Sequence, residues 1–145
     1  MAAILVDTNV LVYAYDPRDA TKNAQAQFLL KTLYQQKAGY LSAQSLAEFM
    51  NASRKLTISP ADALTYAQAF AASWPVIDVT VQVVLEAGRG VRDHQFSFYD
   101  AQIWAAARLS QIPVILSEDF NSGSTLEGVR FVNPFAASFN IANWI

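Results

Sequence analysis

The sequence predicts an α/β fold with a central parallel sheet of four to five strands, on three observations. Ala2-Ala3-Ile4-Leu5-Val6 is a short, unbroken apolar run of the kind that forms a strand buried on both faces. Further short runs recur at Tyr40-Leu41-Ser42, Val76-Ile77-Asp78-Val79, Pro113-Val114-Ile115-Leu116 and, as a possible fifth strand, Val129-Arg130-Phe131-Val132. Helix-period segments separate them, and strands alternating with helices along a whole chain build one parallel sheet. The 145 residues make one domain, 1–145, without repeats, linker or low-complexity segment.

Each helix has a local reason. Val10 to Tyr15 continues the first apolar run as a short helix, closed by the turn residues Asp16-Pro17-Arg18-Asp19. Ala20 to Gln36 keeps Ala24, Phe28, Leu29 and Leu33 at helical spacing until Gly39 stops it. Gln44 to Leu56 follows, with Leu46, Phe49 and Met50 inward. Ser59-Pro60-Ala61-Asp62 is a helix start, Ser as N-cap and Pro at the first position; that helix runs to Ser73 and leaves at Pro75. Val81 to Val91 carries Val84, Leu85 and Gly88. Ser97-Phe98-Tyr99-Asp100 opens an alanine-rich helix to Leu109, and Asn133-Pro134 ends the last strand.

Composition removes several functions. With 53 % apolar and 15 % charged residues and a net charge of −2, the chain lacks the basic stripe of a protein that coats nucleic acid. Catalysis on a transiently bound strand remains open, provided cations offset an acidic pocket. No cysteine is present, so disulfides and thiolate metal sites are excluded, in keeping with a reducing compartment. No apolar run approaches the ~18–20 residues that span a bilayer. The N-terminus lacks the layout of a signal peptide, and a cytoplasmic location without membrane contact is expected.

Four acidic positions then stand out. Asp7 and Asp119 each follow an apolar strand, which a parallel sheet brings to the same edge, where such folds bind ligands. Glu48 lies beside the inward positions of its helix, and Asp100 in the first turn of another. Structural alternatives accompany each: Asp7 as an N-cap, Ser97 and Asp100 as an S-x-x-D capping box, Glu48 as a solvated helix flank, and Glu118-Asp119 as a polar loop. Clustered carboxylates raise one another's pKa and need a cation. Oxygen donors without His or Cys favour Mg²⁺ or Mn²⁺, the ions of phosphoryl chemistry. Rival signatures are missing: neither G-x-x-x-x-G-K-S/T, G-x-G-x-x-G nor G-x-S-x-G occurs. The single histidine, His94, sits in a polar connection beside Arg89 and Arg92, which form either a small basic rim for a polyanion or a solvated helix end.

Taken together, Leu5-Val6-Asp7-Thr8-Asn9-Val10-Leu11-Val12-Tyr13, Ser45-Leu46-Ala47-Glu48-Phe49, Ser97-Phe98-Tyr99-Asp100-Ala101 and Ile115-Leu116-Ser117-Glu118-Asp119-Phe120 resemble the PIN-domain family, specifically its VapC-like toxin ribonucleases. The match spans essentially the whole chain. It implies a three-layer α/β/α fold and a Mg²⁺- or Mn²⁺-dependent endoribonuclease, with Asp7, Glu48, Asp100 and Asp119 as the catalytic, metal-binding set. Asp7 and Asp100 would be its most direct ligands, with Asn9 and Ser117 as supporting polar groups; Glu118 competes with Asp119 for the site. A homodimer is implied, restrained by an antitoxin whose tail enters the acidic groove with an Arg or Lys. Two further readings are a PIN-fold protein that processes or binds RNA without being a toxin, and a structural dimerisation domain based on the apolar tail Phe135 to Ile145.

Overall fold

In the computed structural model of the protein, which describes residues 2–145, strands β1 (Ile4–Val6) and β4 (Val114–Leu116) form the middle of a six-stranded sheet. The order is β3-β2-β1-β4-β6-β5, with β2 at Gly39–Ser42, β3 at Val76–Ile77, β5 at Thr125–Leu126 and β6 at Val129–Val132. Every pairing is parallel except β5 with β6. The sheet therefore has one strand more than expected and an antiparallel edge. The two-residue strand β5 exists only through its pairing around a tight turn, in which Glu127 and Gly128 both take positive φ.

The helices are α1 (Thr8–Tyr15), α2 (Ala20–Gln35), α3 (Ala43–Ala52, continued by a 3-10 turn at Ser53–Leu56), α4 (Pro60–Ser73), α5 (Val81–His94) and α6 (Phe98–Leu109). Successive residues of a strand face opposite sides, and β1 shows the consequence. Ile4 and Val6 join the core under α1 to α4, whereas Leu5 joins the core of α5 and α6 with Trp104, Ile115 and Phe131. Three layers follow, α/β/α.

Caps place most helix starts. The Ser59 hydroxyl accepts from Asp62 N at 3.1 Å, as its S-P-A-D sequence predicts, and Asp19, Ser42 and Thr80 cap α2, α3 and α5. Ser97 is an exception: its side chain makes no cap hydrogen bond, so the expected capping box with Asp100 does not form. Two inward assignments also change. Phe28 of α2 is exposed, with Ala26, Leu29, Leu30 and Leu33 covering the core instead, and Met50 of α3 is exposed beside the buried Phe49. On α5 the buried face is Val83, Ala87 and Gly90; Val84 and Leu85 point to solvent. The tail folds back on its own core. Ile141 is buried, Phe135 meets Tyr13 edge-on at 5.0 Å, and Trp144 lies against the Arg130 guanidinium. It is thus no free dimerisation arm.

At the start of β2, an added Cβ on Gly39 would penetrate the indole of Trp74. Gly39→Ala is expected to lower unfolding free energy by about 1–3 kcal/mol through overpacking, read from urea titration. Trp74→Leu in the same chain should recover part of that loss.

Candidate active site

The site begins where the chain crosses the sheet from one side of β1 to the other. From β1 the chain builds β2 and β3 to one side, then crosses to β4 on the other. The crevice beyond the carboxyl ends of β1 and β4 is the place where open α/β sheets bind ligands. Asp7 N donates to Leu116 O at 3.0 Å and Ser117 N to Val132 O at 3.0 Å, extending the ladder by one step beyond β1 and β4. Asp7 and Ser117 are thereby held side by side.

Ser117 is the centre of the arrangement. Its hydroxyl donates to Asp7 Oδ2 at 2.7 Å and accepts from Asn9 Nδ2 at 2.9 Å and Asp119 N at 3.1 Å. Asn9 Nδ2 also donates to Asp119 Oδ2 at 3.1 Å. Asp7, Asn9, Ser117 and Asp119 are thus one hydrogen-bonded unit. The other Asp7 oxygen accepts from Thr8 N at 2.7 Å, so Asp7 does cap α1. Capping and site membership coexist because a carboxylate has two oxygens.

Asp7 is buried, and burial is the main reason its carboxyl is pushed up from 3.8 to about 6. The hydrogen bonds from Ser117 and Thr8 oppose that rise, whereas the Asp119 and Glu48 carboxylates add to it. Glu48, on the exposed flank of α3, is therefore close enough to act on Asp7 by charge. Asp100 and Asp119 line one cavity of about 340 Å³, together with His94, Ser97, Phe120 and Asn121. Glu48 lines a neighbouring cavity of about 460 Å³ with Gln44, Tyr99 and Gln102. The first turn of α6 stands between them, Tyr99 in one and Asp100 in the other.

Among the described residues, no three His, Cys, Asp or Glu side chains converge as a closed metal cage. The four acids are spread around a crevice.

Other residues have different work. Glu118 turns to α1 and α2: Tyr13 OH donates to its Oε1 at 2.6 Å and Lys22 Nζ to its Oε2 at 2.8 Å. This clasp anchors the loop from which Ser117 and Asp119 project. Arg89 and Arg92, read as either a basic rim or a solvated helix end, are paired with acids. Arg89 pairs with Glu86 and Glu127, Arg92 with Asp93, and Arg108 with Glu86. His94 also meets Glu127, at 2.6 Å, and Arg89 and His94 together draw the Glu127 carboxyl down to about 2. That network fastens α5 and α6 to the β5–β6 turn. Sequence reasoning missed Gln44 and Gln102, both buried, whose amides join α3 to α6. Their signal was available: Gln44 stands four residues before Glu48, and Gln102 interrupts an apolar run.

The PIN domain family model matches residues 4–122, and the chain belongs to that family. Its structure is similar to the VapC20 toxin of Mycobacterium tuberculosis, described as cleaving the sarcin–ricin loop. The two are 25 % identical, with a TM-score of 0.65 over 88 % of this chain and 99 % of that one. It is also similar to a toxin–antitoxin complex from Klebsiella pneumoniae, 17 % identical, with a TM-score of 0.68 over 92 % and 98 % of the two chains. DNA-bound VapBC from Salmonella typhimurium is 20 % identical, with a TM-score of 0.63 over 90 % and 97 %. The last two likenesses concern the fold alone. No curated protein matches the sequence.

The Asp7 carboxyl has a consequence for stability. Between the unfolded value of 3.8 and about 6, the folded state holds a proton that the unfolded state has released. In metal-free buffer this contribution to stability is fully present below the unfolded value. It is lost as pH rises through that window, on the order of 2–3 kcal/mol. Urea unfolding in EDTA at acid and neutral pH should show this fall, and Asp7→Asn should remove it. A fall that persists unchanged in Asp7→Asn places the titration on another group.

Proposed function

We propose that the protein is an endoribonuclease that uses Mg²⁺ or Mn²⁺ to hydrolyse RNA phosphodiester bonds, and that it is the toxin of a type II toxin–antitoxin pair. The observation that carries this reading is the Asp7–Ser117–Asn9–Asp119 unit at the sheet's switch point, with Glu48 and Asp100 on the flanking helices. Family membership and the likeness to a toxin described as cutting the sarcin–ricin loop support it.

The donor set suits a hard divalent cation. The candidate ligands all offer oxygens, Asn9 Oδ1 is buried with no hydrogen-bond partner among the described residues, and a cation would favour the charged form of Asp7 that burial disfavours. A spread set also fits an ion that keeps several water and phosphate oxygens as ligands. Asp7 and Asp100 would hold it most directly, with Asp119 and Glu48 completing the set. When bound, the ion supplies Lewis acidity toward the scissile phosphate and removes the repulsion between an acidic crevice and a polyanion.

The chain's own residues do the rest. Ser117 holds the Asp7 oxygen by donating to it, and Asn9 holds Asp119 by the same means, so neither carboxylate has to be ordered when substrate arrives. Carboxylates on either side of the crevice can accept a proton from an attacking water. A single-stranded or looped RNA fits best, because its unstacked bases are open to recognition.

Toxin–antitoxin and VapBC assemblies among the structural neighbours support an antitoxin partner, and an Arg or Lys from its tail would compensate the same acids. The exposed stripe of Val81, Val84, Leu85 and Val91 on α5, with Phe98 and Tyr99 of α6, supports a homodimer. Among the described residues no helix is long and apolar enough to cross a membrane.

Purified protein with Mg²⁺ or Mn²⁺ is expected to cut members of an RNA panel, and EDTA should stop it. Asp7→Asn and Asp100→Asn should each abolish cleavage while the far-UV spectrum is retained. Cleavage that survives both substitutions overturns the assignment. Tight RNA binding without cleavage at any divalent concentration would leave a PIN-fold RNA-binding protein in its place.

A further inference from the structure

We propose that Gln44 is a positioning residue, which sets Glu48 against Asp100 through a buried amide relay starting at Gln102. The proposal rests on the reading of the crevice as a nuclease site. Its basis is that two of the four acids lie outside the interlocked unit. Asp7 and Asp119 are tied together through Ser117 and Asn9, but Glu48 and Asp100 ride on α3 and α6, and something must fix the spacing of those helices. Gln44 touches both.

The relay has one consistent direction. Gln102 Nε2 donates to Gln44 Oε1 at 2.7 Å, which identifies the acceptor end of the Gln44 amide. The other end, Gln44 Nε2, donates to Glu48 Oε1 at 2.7 Å and to the Tyr99 carbonyl at 3.0 Å. Both amide protons are used. Turning the amide over would set its oxygen against a carboxylate and a carbonyl, neither of which can donate. Both glutamines are buried, 8 % and 7 % exposed, so water competes little for these bonds. The Tyr99 carbonyl belongs to the peptide that links Tyr99 to Asp100, so one amide group grips the Glu48 carboxylate and the backbone that carries Asp100. Among the described residues, Glu48 has no other side-chain hydrogen bond than the one from Gln44.

A role confined to helix packing would affect folding alone, and kinetics separate the two. Gln44→Glu keeps the shape and the acceptor for Gln102 but replaces the donors with an oxygen facing Glu48. Gln102→Met leaves Gln44 in place and releases its orientation. If the relay positions the acids, Gln44→Glu and Gln102→Met should lower kcat for RNA cleavage by about 10–100-fold, the usual cost of losing a group behind a metal ligand. KM should change little and the proteins should remain folded. In a Glu48→Ala background the further effect of Gln102→Met should be smaller, because only the hold on the backbone of Asp100 remains to be lost. The Gln44 side-chain amide resonances in the metal-free protein give a readout independent of activity. They should shift on Glu48→Ala, whereas the Trp104 indole signal should not.

Wild-type kcat in folded Gln102→Met overturns the proposal, as does a loss that persists undiminished in the Glu48→Ala background. Gln44 amide signals that ignore Glu48→Ala also overturn it. If the wild type cuts no RNA yet the amide signals respond, the relay exists and the nuclease reading has failed; the positioning role falls with it.

Discussion

The hydroxyl of Ser117 and the carboxylate of Asp7 meet where two neighbouring parallel strands end, and the organisation of the crevice depends on that contact. The β1–β4 ladder continues for one residue past the strands, so the hydrogen bond joins side chains that the sheet has already aligned. Asn9 and Asp119 attach to the same oxygen. The loop that carries them is anchored on the outside by the clasp of Glu118 with Tyr13 and Lys22. Adjacent residues therefore point to opposite duties, Glu118 away from the crevice and Asp119 into it.

Burial gives this arrangement its tension. A carboxylate placed in a mostly apolar setting is destabilised in its charged form, and its like-charged neighbours add to the effect. A protein concerned only with stability would place an uncharged cap at the start of α1. Holding Asp7 there weakens the empty fold at neutral pH and leaves a position at which a cation is favoured. The helix-borne acids have the opposite problem: Glu48 is exposed and Asp100 only half-buried, and their difficulty is orientation. Buried amides answer that need without adding charge.

Much of this was legible along the chain. Strand positions, the S-P-A-D start of α4 and the convergence of acid-ended strands at one edge depend on local chemistry and on the parallel connection rule, both of which a sequence displays. The errors share a cause. Helical spacing groups Phe28, Met50 and Leu85 with apolar neighbours on their helices but does not show how far the covered face extends; Leu29, Phe49 and Val83 are buried, whereas Phe28, Met50 and Leu85 lie beyond its edge and are exposed. For Arg89 and Arg92 the sequence left a basic rim and a solvated helix end both open; Glu86 and Asp93 lie close by in the chain, whereas Glu127 comes from a distant turn. The Ser97–Asp100 spacing fits a capping box, yet the Ser97 side chain does not close it, and Asp100 opens onto the cavity it shares with Asp119.

The sequence by itself determined the alternation of strands and helices, the absence of cysteine thiolates and the identity of the acids at the strand ends. These follow from residue type and near spacing. Only the tertiary structure decided which carboxylate of the Glu118–Asp119 pair faces the crevice, that Asp7 both caps a helix and joins the site, and that Gln44 bridges α3 to α6. Each of those depends on contacts between residues far apart in the chain, 55 positions for Gln44 and Tyr99 and 110 for Ser117 and Asp7. Such contacts arise from the crossing of the chain between β3 and β4, and no local pattern records them.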